Sequence, residues 1–242
     1  MTTELSLAQF KNQYIKDKNI REKNQLWWGE EKNHFIKYNR PNKFGWDFKI
    51  KKDIIKYALK LPLNHCIIDC GAHIGDGSVP IAHALSIMGR EDIVVYAIDP
   101  SKDKCEYMNY IKNLNYIKNL KIINCGLSNI IGKYALIKDY KKIKNSGHMI
   151  WEKNKSGIKF NTLDNLIIEK IITHIIGIIH LDVEGMELDA LKGSKKVLED
   201  YKPYLSIENN NDSNYSSVLS NYKFKEWINE NQIFIHNKIM NN

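Results

Sequence analysis

The chain has 242 residues, 43% hydrophobic and 26% charged, with a net charge of +8. It is long enough for one α/β domain with a full core and an added segment. Its first residues lack the apolar core of a signal peptide, and its most apolar run, residues 171–183, is too short and too interrupted by His174 and His180 to span a bilayer. A soluble cytoplasmic protein without a membrane span is expected. Cys66, Cys70, Cys105 and Cys125 form no C-x-x-C pair and no zinc spacing. They read as small core residues in a reducing compartment. Arginine occurs only at 21, 40 and 90. The positive charge is therefore almost all lysine, which lacks arginine's bidentate fork for phosphates, so a nucleic-acid partner is not favoured. The excess of lysine, asparagine and isoleucine fits an AT-rich genome, viral or parasite-like, and then a host-cytoplasmic location.

Residues 1–60 read as an N-terminal helical and aromatic extension, a substrate cover or an oligomer contact, and residues 61–242 as the main domain. Leu7, Phe10 and Tyr14 have helical spacing. Trp27 and Trp28 are either anchors for this arm or, Trp28 above all, part of a substrate wall that stacks on a sugar ring. A helix over residues 54–61 is closed by Pro62.

The stretch HCIIDCGAHIGDGS, residues 65–78, organises the rest of the chain. Cys66, Ile67 and Ile68 predict a buried parallel strand, and Asp69 ends it. Gly71, Gly75 and Gly77 predict a tight turn whose amides approach a ligand, and Ser78 predicts an N-cap with Pro80 in the first helical turn. Strand, glycine turn and helix start make a nucleotide site at the edge of an α/β sheet. The order is D-x-G-x-x-x-G-x-G rather than the G-x-G-x-x-G of a pyrophosphate site. A carboxylate there repels pyrophosphate and suits a cationic amino-acid ligand. This order resembles the first motif of the S-adenosylmethionine-dependent methyltransferases.

Val79, Ala82, Leu85 and Met88 form the next helix face, ended by Gly89. Residues 93–98, IVVYAI, predict a second strand, with Asp99 at its tip placed to bind both ribose hydroxyls of a nucleoside. A helix over 103–117 comes next, with Cys105, Met108, Ile111 and Tyr116 inward. Residues 120–125 predict a third strand, and the turn Gly126-Leu127-Ser128-Asn129 lies where an adenine would rest. A short strand at 134–137 leads into a polar loop, 138–157, whose His148 is a candidate substrate contact. Residues 160–164 open another helix, capped by Thr162. The apolar run 175–181, IIGIIHL, predicts a strand ending at Asp182, and Leu188, Leu191 and Leu198 lie on one face of the helix after it. Residues 204–207 predict a fifth strand ending at Glu208, and 224–228 with 232–236 a closing antiparallel pair.

Three blocks carry a more specific likeness: FNTLDNL, IIHLDVEGMELDALKG and KPYLSIEN. With IIDCGAHIGDGS and YAIDPS they resemble, in the same order over about residues 65–210, the FkbM-type methyltransferases. The resemblance implies a Rossmann-like, doubly wound α/β fold with a mostly parallel seven-stranded sheet and helices on both faces. It implies S-adenosylmethionine as cofactor, S-adenosylhomocysteine as product, and O-methylation of a sugar, glycan or related small molecule. By position, Asp69, Gly71, His73 and Gly75 would line the cofactor's methionine part, Asp99 would hold the ribose and Ser128 the adenine, with Asp182 beside the methyl group and Ser78 a further cofactor contact. Of Glu184 and Glu187, one faces the site, Glu184 as a substrate contact, and the other caps the next helix. The family's lysine two places before the Asp is His180 here. Asp182 or His180 is the candidate general base, with Glu208 as an alternative; Asp182 and Glu208 sharing a divalent cation also stays open. An RNA methyltransferase and a non-catalytic cofactor-binding module are the alternative readings. The sequence leaves the oligomeric state open, a homodimer included.

Overall fold

The computed structural model describes residues 48–136, 151–209 and 215–238. Seven strands form the main sheet: β1 (His65–Cys70), β2 (Val94–Asp99), β3 (Leu120–Asn124), β8 (Ile175–Leu181), β9 (Tyr204–Glu208), β10 (Tyr222–Ile228) and β11 (Asn231–His236). Their spatial order is β10-β11-β9-β8-β1-β2-β3. The five strands from β9 to β3 run parallel, and β11 inserts antiparallel between β9 and β10. The central strands are buried on both faces, which is why 175–181 reads as one apolar run rather than an alternation. This is the doubly wound, mostly parallel sheet that the sequence implies.

Helices cover both faces. On one, α1 (Phe48–Ala58), α2 (Ser78–Ile87) and α3 (Lys102–Leu114) bury Ile50, Ile54, Leu85, Met108 and Ile111 against Ile67, Val95 and Ile178. On the other, α4 (Leu163–Ile168), α5 (Glu187–Lys192) and α6 (Lys195–Asp200) bury Leu163, Leu191 and Leu198 against Ile68, Ile98 and Ile179. Helix α1 falls within residues 1–60, the expected extension, yet its apolar side belongs to the same core as the sheet.

Several local expectations are corrected. Tyr116 is 87% exposed, because it takes the left-handed position that ends α3 (φ 54°). Met88 is likewise outward, past the last inward turn of α2. Helix α2 has Gly77, not Ser78, at its N-cap, and the Ser78 side chain does not cap it. The sequence predicts a turn at 126–129 and a helix opened by residues 160–164 with Thr162 as its cap. The cap and the helix from Leu163 are present, but 126–127 and 160–161 are strand. Strands β4 (Gly126–Leu127) and β7 (Ile158–Asn161) pair, and with β5 (Gly132–Leu136) and β6 (Trp151–Lys153) make a second, four-stranded sheet. Trp151–Lys153 thus makes a strand of part of the expected polar loop. The helix expected across 188–198 is two helices, broken at Gly193. A Cβ there would meet the Ser128 carbonyl oxygen at 2.1 Å, so this close approach demands glycine.

Candidate functional site

The chain runs outward from β1 through β2 to β3, then returns to β8 on the other side of β1 and continues to β9. The crevice at the strands' carboxyl ends lies at that reversal, where an open α/β sheet binds ligands. A cleft of about 480 Å³ occurs there, within the range of small-molecule sites. Its walls include Asp69, Gly71, His73, Asp99, His180, Asp182, Glu184 and Glu208. The structure thus gathers residues 139 positions apart in the chain (69 to 208) around one crevice. Gly75, Ser78 and Ser128 do not line it. Trp28 and His148 lie outside the described residues.

The glycine turn is organised internally. The amides of Gly71 and Ala72 both donate to the Ile98 carbonyl (2.9 and 3.1 Å), that of His73 donates to Asp99 Oδ2 (2.9 Å), and that of Gly75 to the Ala72 carbonyl (2.7 Å). These four amides are therefore engaged within the protein rather than offered to a ligand, contrary to the expectation that the turn's amides approach one, and they make no cradle for a pyrophosphate. Glycine at 71 is imposed by close approach: at φ +78° a Cβ would lie 1.6 Å from the Asp182 carbonyl oxygen. The tips of β1 and β8 meet there, and the Asp182 amide donates to the Cys70 carbonyl (3.0 Å).

Each acid has a distinct setting. Asp69 is buried and accepts a hydrogen bond from the Ser78 hydroxyl, which is what that serine does in place of touching the cleft. Burial pushes the Asp69 carboxyl up, opposed by the charge of His180, the Ser78 bond and the Lys51 ammonium, while Asp76 adds to the rise. Asp99 accepts from the amides of Ser101 (2.8 Å) and His73 (2.9 Å). It therefore holds the glycine turn to the tip of β2 while facing the cleft. Burial raises its carboxyl, and those amide bonds and Lys104 act against the rise.

Asp182 is held well above the usual carboxylate range. Burial is the largest cause, followed by a hydrogen bond with Glu208 and the charges of Glu208, Glu184 and Asp69. Two carboxyls this close favour one shared proton. Glu184 takes a left-handed conformation (φ 54°) and is exposed at the mouth of the cleft. Glu187 is buried, and its Oε1 accepts from the amides of Val183 (3.2 Å) and Gly185 (3.1 Å). Glu184 thus lies at the cleft as expected, but Glu187 is not the expected helix cap: Met186 holds the N-cap position with no side-chain cap, and Glu187 braces the turn before the helix instead.

Sequence reasoning missed Lys51, Asp76, Lys104, Ile158, Phe160 and Met186, all of which line the cleft. Lys51 is 4% exposed and, with His73, holds the Asp76 carboxyl low against the upward push of burial. Ile158 and Phe160 come from β7 and, with Leu127, give one end of the cleft an apolar wall. That end suits a base, Asp99 a ribose, and the opposed charges of Asp69, Asp76 and Lys51 a zwitterionic amino acid. Among the described residues no group of three or more His, Cys, Asp or Glu side chains is arranged to hold a metal ion, and no helix is long and apolar enough to cross a membrane.

Among solved structures the chain is similar to methyltransferase FkbM from Methylobacillus flagellatus, at 18% identity over 70% of this chain and 43% of that one, with a TM-score of 0.44. It thus spans less than half the length of that protein. It is also similar to a SAM-dependent methyltransferase from Aquifex aeolicus (14% identity, 76% and 88% of the two chains, TM-score 0.43). A third similar structure is a Streptococcus mutans protein solved in complex with SAH (15% identity, 76% and 94%, TM-score 0.44). No curated protein sequence matches the chain. The methyltransferase FkbM domain model matches residues 69–231, from the acid near the end of β1 to the first residue of β11. That span covers the glycine turn, the four acidic strand ends at Asp69, Asp99, Asp182 and Glu208, and the whole cleft-bearing part of the sheet, and the chain belongs to the FkbM methyltransferase family.

Proposed function

We propose that the protein is an S-adenosylmethionine-dependent O-methyltransferase acting on a hydroxyl of a sugar, glycan or related small molecule. The observation that carries this reading is a cleft with acids at three strand tips, Asp69, Asp99 and Asp182, beside a glycine turn in which the amides of Gly71, Ala72, His73 and Gly75 are satisfied internally. Asp99 and the wall of Leu127, Ile158 and Phe160 would hold the nucleoside. Asp69, Asp76 and Lys51 would hold the amino-acid end. When bound, the sulfonium supplies an already activated methyl group. The protein's own task is to orient an acceptor hydroxyl, exclude water and accept its proton.

The acceptor end is walled by Asp182, Glu184 and Glu208. Such a wall repels phosphates and carboxylates and accepts hydrogen bonds from hydroxyls, which supports a neutral polyol over RNA despite the chain's net charge of +8. Labelled S-adenosylmethionine offered with a panel of methyl glycosides, oligosaccharides and RNA tests this choice. Label is expected in glycoside or oligosaccharide. Label in RNA alone would overturn the acceptor assignment.

A further inference from the structure

His180, Asp182 and Glu208 all face the cleft, and their surroundings differ in a way that decides which of them takes a proton. In the parallel register His180 of β8 stands between Asp69 of β1 and Ser206 of β9. The three side chains form one row across the sheet, on the face covered by α1 and α2. Asp182 and Glu208 lie one pleat further toward the carboxyl edge. Behind His180 the row continues: His180 Nδ1 lies 3.1 Å from Ser206 Oγ, and Ser206 Oγ donates to Asn231 Oδ1 at 3.2 Å. Ser206 is fully buried and Asn231 is 3% exposed.

A serine hydroxyl has one hydrogen. With that hydrogen directed to Asn231, Ser206 Oγ can only accept from the ring, which places the imidazole proton on Nδ1. Nε2 is then the unprotonated nitrogen. It has no hydrogen-bond partner among the described residues, and the ring lines the cleft.

We infer that His180 is the general base of the transfer, and that Ser206 and Asn231 are positioning residues that hold it as the Nδ1–H tautomer with Nε2 turned to the acceptor. This rests on the methyltransferase reading. The acceptor hydroxyl gives its proton to Nε2, its oxygen bonds to the methyl carbon, and the electron pair of the broken carbon–sulfur bond stays on sulfur. Asp69 stands beside His180 in the row. The other charged groups facing this part of the cleft are Lys51 from α1, Asp76 from the glycine turn, Asp182 and Glu184 after β8, and Glu208 from β9. Asp182, already sharing a proton with Glu208, is left to donate or orient rather than to accept. Serine and asparagine hold a tautomer without adding a charge, so the ring is oriented while the proton stays free to leave.

The test is nitrogen NMR of histidine-labelled full-length protein at about pH 8, where free imidazole is neutral, with and without S-adenosylhomocysteine. The His180 signal is assigned by its loss in His180→Gln. The expected pattern is the Nδ1–H tautomer in the wild type and a shift of population toward Nε2–H in Ser206→Ala, with S-adenosylhomocysteine affinity changed by less than about threefold in that variant. A ring protonated on Nε2 in the wild type overturns the inference while leaving the cofactor reading intact. No binding of S-adenosylhomocysteine by the wild type overturns the cofactor reading itself, and the base assignment with it.

Discussion

Asp182 carries a charge penalty that a single substitution exposes. Its carboxyl is raised by burial first and by Glu208, Glu184 and Asp69 after that. Between the free-carboxylate pKa of about 4 and this raised value, the folded protein keeps a proton that the unfolded chain has released. Stability therefore falls as pH rises through that window. Asp182→Asn removes the penalty, so the variant is expected to melt higher than wild type at about pH 8 and to lose that advantage near pH 4. A gain of about 1 kcal/mol corresponds to roughly 2–4 °C in a domain of this size. A variant that melts lower at pH 8 would show that Asp182 is stabilised rather than strained by its neighbours. At the same scale, the acids at 69, 99 and 182 were legible because each closes an apolar strand. Lys51 was not: one lysine among 36 basic residues carries no mark until α1 folds over the glycine turn.

Elements explain which glycines matter. Gly71 and Gly89 share the left-handed backbone (φ 78° and 74°), but a Cβ at 89 meets no atom within 4 Å while one at 71 strikes the Asp182 carbonyl oxygen. Gly89→Ala should therefore cost only the backbone term, about 1–2 kcal/mol. Gly71→Ala must push the tips of β1 and β8 apart, and a loss above about 4 kcal/mol with abolished S-adenosylhomocysteine binding is expected. Urea denaturation of both variants checks the contrast, and equal losses would refute the close-approach argument. Thr162 is the N-cap of α4, accepting from the Asn165 amide at 3.0 Å. Thr162→Ala is expected to cost about 1 kcal/mol, measured in the same way. In the next-door helix pair, Asp164 of α4 accepts from the amides of Lys196 and Val197 (both 3.0 Å), so the start of α6 is satisfied by a different helix. That is one reason the break at Gly193 could not be read locally. The β8 strand, by contrast, has the bounds its seven-residue run implies, since burial on both faces needs no partner's identity. Strands β4, β6 and β7 are two to four residues long and are defined by pairing with β5 and with one another.

At the scale of the whole molecule, a reversal of strand order places four separated stretches around one crevice: 69–77, 98–104, 125–127 and 180–186, with 208 beside them. The order of those stretches in the chain was legible because each ends a strand. The wall supplied by β7 and α1 was not, because it depends on how a second sheet and a preceding helix fold back over the first. The cleft is acidic at Asp182, Glu184 and Glu208 although the chain as a whole is positive, so charge summed over the chain does not describe the surroundings of the site. On the function proposed above, this crevice binds the cofactor of methyl transfer rather than a dinucleotide. Isothermal titration with S-adenosylhomocysteine and, separately, with NAD tests it most directly. One equivalent of S-adenosylhomocysteine is expected to bind, with Asp99→Asn weakening it at least about tenfold, a loss of about 1.4 kcal/mol, and no heat is expected from NAD. Binding of NAD without S-adenosylhomocysteine, or S-adenosylhomocysteine affinity indifferent to Asp99, would contradict it.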